Sequence, residues 1–301
     1  MYSADLDTLL TRMSKAELIQ YLRQQNLLMK ELKCETCKQY LVEESCAYFK
    51  DEQCFRCYNK ECNDYTKRIS IRSNSFFADF SCDLLIVLKV LILFSFDIQR
   101  HNIFKKKIAS FTLIDKIFNK LHKYLRDDIL KMSKMGGHGA FVQVDETMLN
   151  YKCKSHRGRS ALNKTDALCI VEVSNSITRA YATIIPNKEA STIIPIICDK
   201  VVNGTLIYTD EHRSYASLTQ KGYVHQTVCH KYNFVDKISG AHTQFVESFN
   251  NELKLDIKKR KGVETNLRSK FLEIFICKFN NKSNRIGKIF DLIKYNNYFH
   301  F

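Results

Sequence analysis

The residues best suited to chemistry fall into two groups. In the first half of the chain, Cys34-x2-Cys37 and Cys54-x2-Cys57 stand sixteen residues apart. A CxxC turn puts two thiolates on adjacent corners of a tetrahedron, and a second pair supplies the other two, which is the spacing of a zinc ribbon. The expectation is one structural Zn²⁺ at Cys34, Cys37, Cys54 and Cys57, with Cys46 and Cys62 close enough to be alternative ligands. Residues 34–65 carry these six cysteines and few aliphatic side chains, so a metal would hold a module too small to build its own core.

The second group is acidic. Asp145 closes FVQVDETML, Asp210 ends LIYTD, and Glu247 lies in HTQFVESFNNELK, with sixty-four and thirty-six residues between them. Carboxylates from two neighbouring strand ends and a facing helix can converge on two Mg²⁺ ions, which take hard oxygen ligands. Such a pair activates water or a sugar hydroxyl and steadies the leaving oxygen of an in-line displacement at phosphorus. Glu146 and Glu211 directly follow the two aspartates. Side chains alternate faces along a strand, so one member of each pair should point away, and strand phase favours the aspartates only weakly.

The elements that must position these residues follow from periodicity. Residues 1–33 read as helical, with Ser14 and Glu17 as a capping box and Leu18, Tyr21, Leu22 and Leu28 at helical spacing. The apolar run 84–96 is too short for a bilayer of about 30 Å and reads as a buried helix. Residues 66–138 are mainly helical, with Ile108, Phe111, Ile114, Ile117, Phe118 and Leu121 on one stripe. A helix-turn-helix fits this stretch, and so does plain core packing. Gly136-Gly137-His138-Gly139 ends the helical pattern. Strands are predicted at 140–145, 166–173 and 178–185, then a helix at 188–202 with Pro195 as a point where it can kink. A strand at 205–209, a short helix at 213–218, a strand at 223–228 and a long helix at 242–259 follow. Three successive strands make a meander, and the helical connection allows a parallel partner, so the sheet should be mixed, with helices packed on it. The expected class is α/β, with the element order of an RNase H-like domain.

Composition narrows the partners. The chain has 301 residues, 47 Lys+Arg against 32 Asp+Glu, and a net charge of +15. So basic a surface suits a polyanion, with nucleic acid ahead of an anionic membrane, although an A+T-rich coding sequence also inflates lysine. The twelve cysteines are not confined to one short loop-rich module, with Cys169, Cys198 and Cys277 in apparent core strands, and the opening MYSADLDTLL lacks the pattern of a secretory leader. Reduced thiols in an intracellular protein are therefore expected.

The segment GGHGAFVQVDETMLNYKCKSHRGRS resembles the opening of the catalytic domain of Merlin-type DNA transposases and their bacterial insertion-sequence relatives. IYTDEHRSY, GYVHQTVCHKYNFVD and SGAHTQFVESFNNELK continue the resemblance in order, as do CETC, FRCYNKEC and ISIRSNSFF before it. The match extends from about residue 15 to about 290. It implies an N-terminal helix (1–33), a zinc ribbon (34–65), a helical DNA-binding region (66–138) and an RNase H-like DDE catalytic domain with C-terminal helices (139–301). It also implies a catalytic set of Asp145, Asp210, Glu247 and Lys254, with the three acids holding Mg²⁺ or Mn²⁺. Seven residues make almost two helical turns, so Glu247 and Lys254 share a face. His230 and His242 match positions beside the active site, as substrate-orienting groups or as core histidines. The implied partner is double-stranded DNA, both transposon ends and target, bound by a homo-oligomer with no membrane role. In a eukaryotic host the place of action would be the nucleus, with Lys258-Lys259-Arg260-Lys261 as an import signal or a solvated helix end. The loop Lys152-Cys153-Lys154 before Arg157-Gly158-Arg159 is a changed but still cationic form of the family's, and the chain has no Trp. A degenerate or co-opted copy that binds DNA without cutting it is the alternative.

Overall fold

A computed structural model describes residues 3–151, 164–228 and 242–299. The basic loop at 152–159 and His230 lie outside the described residues. The chain divides into two units, Met1–Tyr124 with Ser283–Phe301, and Leu125–Lys282.

The first unit opens with helices α1 (Ser3–Arg12) and α2 (Lys15–Gln24). The Ser14–Glu17 capping box is formed, with the Glu17 carboxylate accepting from the Ser14 N–H at 2.8 Å. Strands β1 (Val42–Ser45), β2 (Gln53–Arg56) and β3 (Arg68–Ser70) make a small antiparallel meander. Glu44 ties it together, accepting from Tyr58 Oη at 2.6 Å and Arg68 Nε at 2.7 Å. Helix α3 (Leu84–Ser95) has Leu84, Val87, Leu88, Val90, Leu91, Ile92 and Phe94 all buried. A helix apolar nearly all round is one that other elements surround. Helices α4 (Arg100–Lys105) and α5 (Phe111–Leu130) follow, and α5 passes from the first unit into the second. Of the predicted stripe, Ile114, Ile117, Phe118 and Leu121 are buried, whereas Phe111 is 48% exposed.

The second unit is built on strands β4 (Phe141–Met148), β5 (Asp166–Val173) and β6 (Ile177–Ile185), helix α6 (Ala190–Lys200), and strands β7 (Leu206–Asp210) and β8 (Val224–Val228). Helices α7 (Gln244–Lys259) and α8 (Arg268–Asn280) complete it. The sheet order is β6-β5-β4-β7-β8. β4, β5 and β6 pair antiparallel, while β4–β7 and β7–β8 are parallel. This is the mixed sheet expected, because the hairpins of a meander are antiparallel and the α6 crossover returns the chain parallel to β4.

Both faces of the sheet are covered, which is why β5 is buried along almost its whole length. Alternation sends Cys169, Val171 and Val173 into one core, with Val246, Phe249, Leu253 and Ile257 of α7 and Phe271, Leu272 and Ile276 of α8. Leu168 and Ile170 enter the opposite core, with Val142 and Val144 of β4 and Ile193, Ile194 and Ile197 of α6. Pro195 lies inside α6 without ending it.

The last helix, α9 (Arg285–Phe299), groups with the first unit. Its buried Asn297 accepts from the Phe76 N–H at 2.9 Å and donates to the Leu27 carbonyl at 3.0 Å. The division by contacts falls between Tyr124 and Leu125 and again between Lys282 and Ser283. Ile129 and Met135 are drawn into the second unit's cores, and α9 into the first unit.

Candidate active site and cysteine cluster

Cys34, Cys37, Cys57 and Cys62 bring their sulfurs within 4.8 Å of one another. Cys34 and Cys62 are 3.7 Å apart and Cys37 and Cys57 3.9 Å. A tetrahedral ion with bonds of about 2.3 Å has ligand edges of about 3.8 Å, so this foursome could hold such an ion. The first pair sits on a turn closed by Lys38 N–H to the Cys34 carbonyl (2.9 Å) and Cys34 N–H to the Gln39 carbonyl (2.8 Å). Lys38 has φ +60°, a left-handed residue that the tight turn requires. The second pair closes through Cys62 N–H to the Asn59 carbonyl (3.0 Å) and Thr66 N–H to the Cys57 carbonyl (2.8 Å). Thr36 Oγ1 donates to Asp64 Oδ2 at 2.6 Å and ties the two turns together. Burial pushes the Cys62 thiol up to about 12, whereas the backbone hydrogen bond from Gln39 brings Cys37 down to about 7.

Of the two alternative ligands, Cys62 takes part in this foursome. Cys54 does not join the cluster, and Cys62 stands in its place. Cys54 is inside β2, not on a turn. Residues three apart in an extended strand face opposite sides and are about 10 Å apart, so this CxxC cannot chelate. Cys54 instead lies beside Glu44, with Sγ 3.8 Å from its carboxylate, and burial followed by the neighbouring Cys46 pushes its thiol up to about 11.

In the second unit, Phe141, Gln143 and Asp145 alternate on the α7 side of β4. Phe141 packs into the core that holds α7, and Gln143 bonds to the start of that helix. Gln143 pairs with Tyr208 of β7, and the Phe141 and Tyr208 rings meet at 5.1 Å. Two residues beyond that pair, in the same direction on both parallel strands, come Asp145 and Asp210. They therefore share a face of neighbouring strands, Asp145 within β4 and Asp210 at the end of β7. Burial raises the Asp145 carboxyl to about 6, and the charges of Glu146 and then Asp210 add to it. Asp210 accepts from the His212 N–H at 3.1 Å.

Strand phase separates the acidic neighbours. Glu146 faces the opposite core, where Tyr215 donates a hydrogen bond to it and Lys188 lies 3.6 Å away. Glu211 is exposed. Helix α7 supplies the rest. Glu247 is half-buried near its start and accepts from Thr243 Oγ1 at 2.9 Å. Asn250, three residues on, donates through Nδ2 to Asp145 Oδ2 at 2.8 Å. Lys254 is exposed, but its charge reaches Cys169, the β5 partner of Asp145: burial and then Asp145 push that thiol up, and Lys254 opposes them. Asp145, Asp210 and Glu247 are not gathered as closely as the cysteines, which form the one group of three or more such ligands within 4.8 Å among the described residues. Asp145 feels the charge of Asp210, and carboxylate oxygens are the donors that a hard divalent cation takes.

His242 packs its ring on Phe245 at 5.3 Å and Phe141 at 6.4 Å, with Nδ1 3.4 Å from Gln143 Nε2. Sequence reasoning missed Asn250 and Gln143. Both carried a signal: Asn250 sits three after Glu247 and four before Lys254, on the same side of a helix, and Gln143 is a polar residue at an inward strand position.

Residues 135–284 match the model of the ISXO2-like transposase domain. The chain is also similar to an uncharacterized transposase-like protein of Haemophilus influenzae (strain ATCC 51907 / DSM 11121 / KW20 / Rd). They are 27% identical over 103 residues, which cover 34% of this chain and 82% of that protein. Both findings support a transposase, and so an enzyme acting on DNA. Among the described residues, no helix is long and apolar enough to cross a membrane.

Proposed function

We propose that the chain is a DDE-type transposase of the Merlin kind, with an RNase H-like catalytic unit. It binds the terminal inverted repeats of its own element, cleaves DNA strands there and joins the freed 3′ ends to target DNA. The observation that carries this reading is the placement of Asp145 and Asp210 on one face of adjacent parallel strands, under a helix bearing Glu247, Asn250 and Lys254. The sheet order, with a three-strand meander followed by two parallel strands, supports the fold assignment.

Asp145, Asp210 and Glu247 would hold Mg²⁺ or Mn²⁺, which supplies charge neutralisation at the attacking and leaving oxygens of a phosphodiester. Lys254 shares the Glu247 side of α7 and offers an ammonium to a DNA phosphate. The cysteine foursome would hold structural Zn²⁺, and the helices that follow it would contact the transposon ends. Lys105, Lys106 and Lys107 are exposed there beside the edge-to-face pair Phe104 and Phe111, both about half exposed. Cations interleaved with aromatic rings suit a phosphate backbone and its bases. A homo-oligomer on DNA would bring two ends together.

Strand cleavage on DNA carrying the terminal repeats that flank the source locus tests this reading. Parent protein should cut at the repeat ends only with Mg²⁺ or Mn²⁺, and Asp145→Asn or Asp210→Asn should abolish cutting while retaining binding. Affinity for the repeats should fall steeply with salt, because lysines and arginines displace condensed counterions. Binding without cutting by the parent would make the chain a co-opted DNA-binding descendant. Cutting by Asp145→Asn would remove the proposed active site.

A further inference from the structure

The face of α7 turned to the sheet is apolar at Val246, Phe249, Leu253 and Ile257. Two buried amides interrupt this contact. Gln143 of β4 is fully buried and donates through Nε2 to the His242 carbonyl at 2.6 Å. Its Oε1 accepts from the Val246 N–H at 3.0 Å, one of the donors that a helix's first turn leaves unpaired. One turn later Asn250, 3% exposed, donates to Asp145 Oδ2, and its own Oδ1 is buried with no partner among the described residues. Gln143 and Asp145 are alternate residues of one strand, so α7 is held to one face of β4 at two points one helical turn apart.

Apolar contacts alone let a helix roll or slide by a fraction of a turn with little change in buried area. Directional bonds at two points do not. With the helix held at 246 and 250, the side chains at 247 and 254 have a set angle and height over Asp145. The Asn250 orientation is determined as well, since a flipped amide would set its oxygen against the ionised Asp145 carboxylate. Two buried polar groups in an otherwise apolar contact, one of them with an unmade bond, destabilise the interface relative to aliphatic side chains. Their presence is better explained by positioning.

We propose that Gln143 and Asn250 form an amide clamp that registers helix α7 on strand β4, making both of them positioning residues for the carboxylate site. This rests on the reading of Asp145 and Glu247 as cation ligands. Each clamp residue acts through another: Asn250 orients the Asp145 carboxylate, and Gln143 sets the start of the helix that carries Glu247.

The test is Mn²⁺ binding to the zinc-loaded full-length chain, followed by the electron paramagnetic resonance of free Mn²⁺, so that no DNA cutting is needed. Asn250→Leu and Gln143→Met should each weaken binding about tenfold or more, the usual effect of losing a group that orients a ligand. Leu253→Ala on the same helix should lower the thermal midpoint yet leave Mn²⁺ affinity within about twofold, because it removes packing and no orienting bond. If Asn250→Leu does not fold, Asn250→Ser, too short to reach Asp145, takes its place with the same expected loss. Parent-like affinity in the clamp variants, or an equal loss in Leu253→Ala, overturns the clamp. Asp145→Asn separates the two layers: if it still binds Mn²⁺ like the parent, the site reading fails and the clamp with it. If it loses binding while the clamp variants keep theirs, only the clamp fails.

Discussion

Glu252 meets Lys282 across 2.8 Å, on the side of α7 turned away from Asn250 and the Asp145 carboxylate that Asn250 binds. Five residues along a helix amount to about 140° of rotation, so Glu252 is turned away from the side that carries Glu247, Asn250 and Lys254. Both members of the Glu252–Lys282 pair are about half exposed, and such pairs contribute about 0–1 kcal/mol. Glu252→Gln should therefore cut DNA almost as the parent does. Glu247→Gln should lose Mg²⁺-dependent cleavage with its circular dichroism and DNA affinity unchanged, since a ligand is lost at constant volume. Cleavage surviving in the second variant and failing in the first would invert the helix phase.

The cysteine cluster gives a prediction that separates two ligand sets. Purified parent should carry one zinc per chain. Cys62→Ala should lose it, whereas Cys54→Ala should keep it and be destabilised only by the lost packing in β2. Atomic absorption on the two variants decides between them, and zinc retained in Cys62→Ala would restore the set with Cys54.

Gly136 has φ +86°, and a Cβ built on it would come within 2.4 Å of the Thr205 side chain. Its N–H donates to Glu172 Oε2 at 2.7 Å, so the backbone cannot easily withdraw. Gly136→Ala should cost about 2 kcal/mol or more, from left-handed strain and the clash together. The midpoint of urea unfolding measures it. Gly137 has nothing within 4 Å of its virtual Cβ, so Gly137→Ala should cost only the conformational part.

Glu172 should make stability depend on acid. Burial raises its carboxyl, but Arg179, Thr178 and the Gly136 N–H outweigh this and bring it to about 2 from an ordinary 4.5. A lowered folded value means that the unfolded chain takes up the proton first. The contribution is whole above about pH 4.5 and disappears as the pH falls towards about 2. With Arg179 about a third exposed, it is on the order of 2 kcal/mol at neutral pH. Denaturant titrations at pH 5 and pH 3 should show a larger loss in the parent than in Glu172→Gln. Equal losses would mean that the ion pair makes no net contribution.

Much of this molecule was legible as a sequence because the signals are local. A period of two marks β4, β5 and β6, and the capping box at Ser14 needs only Glu17 three residues on. The five strands, the α6 crossover and α7 lie within a few residues of their predicted places for this reason. The same periodicities put Asp210 at the end of β7 and Glu247 and Lys254 on α7, whereas β4 continues three residues past Asp145.

Contacts distant in the chain were decided only by the tertiary structure. Both CxxC pairs look alike in sequence, but Cys54 was committed to a strand by its pairing with Glu44 and Ser70, which left Cys62 to close the foursome. The Asp145–Glu146 pair could be resolved only once the two cores had covered opposite faces of the sheet, because alternation says that neighbours diverge without saying which side is which. Gln143 and Asn250 are more than one hundred residues apart, and α9 joins a unit whose other members end at Tyr124. Local propensity says which segments are helix or strand. Burial and hydrogen-bond complementarity between segments decide which of them touch, and those are properties of the folded chain.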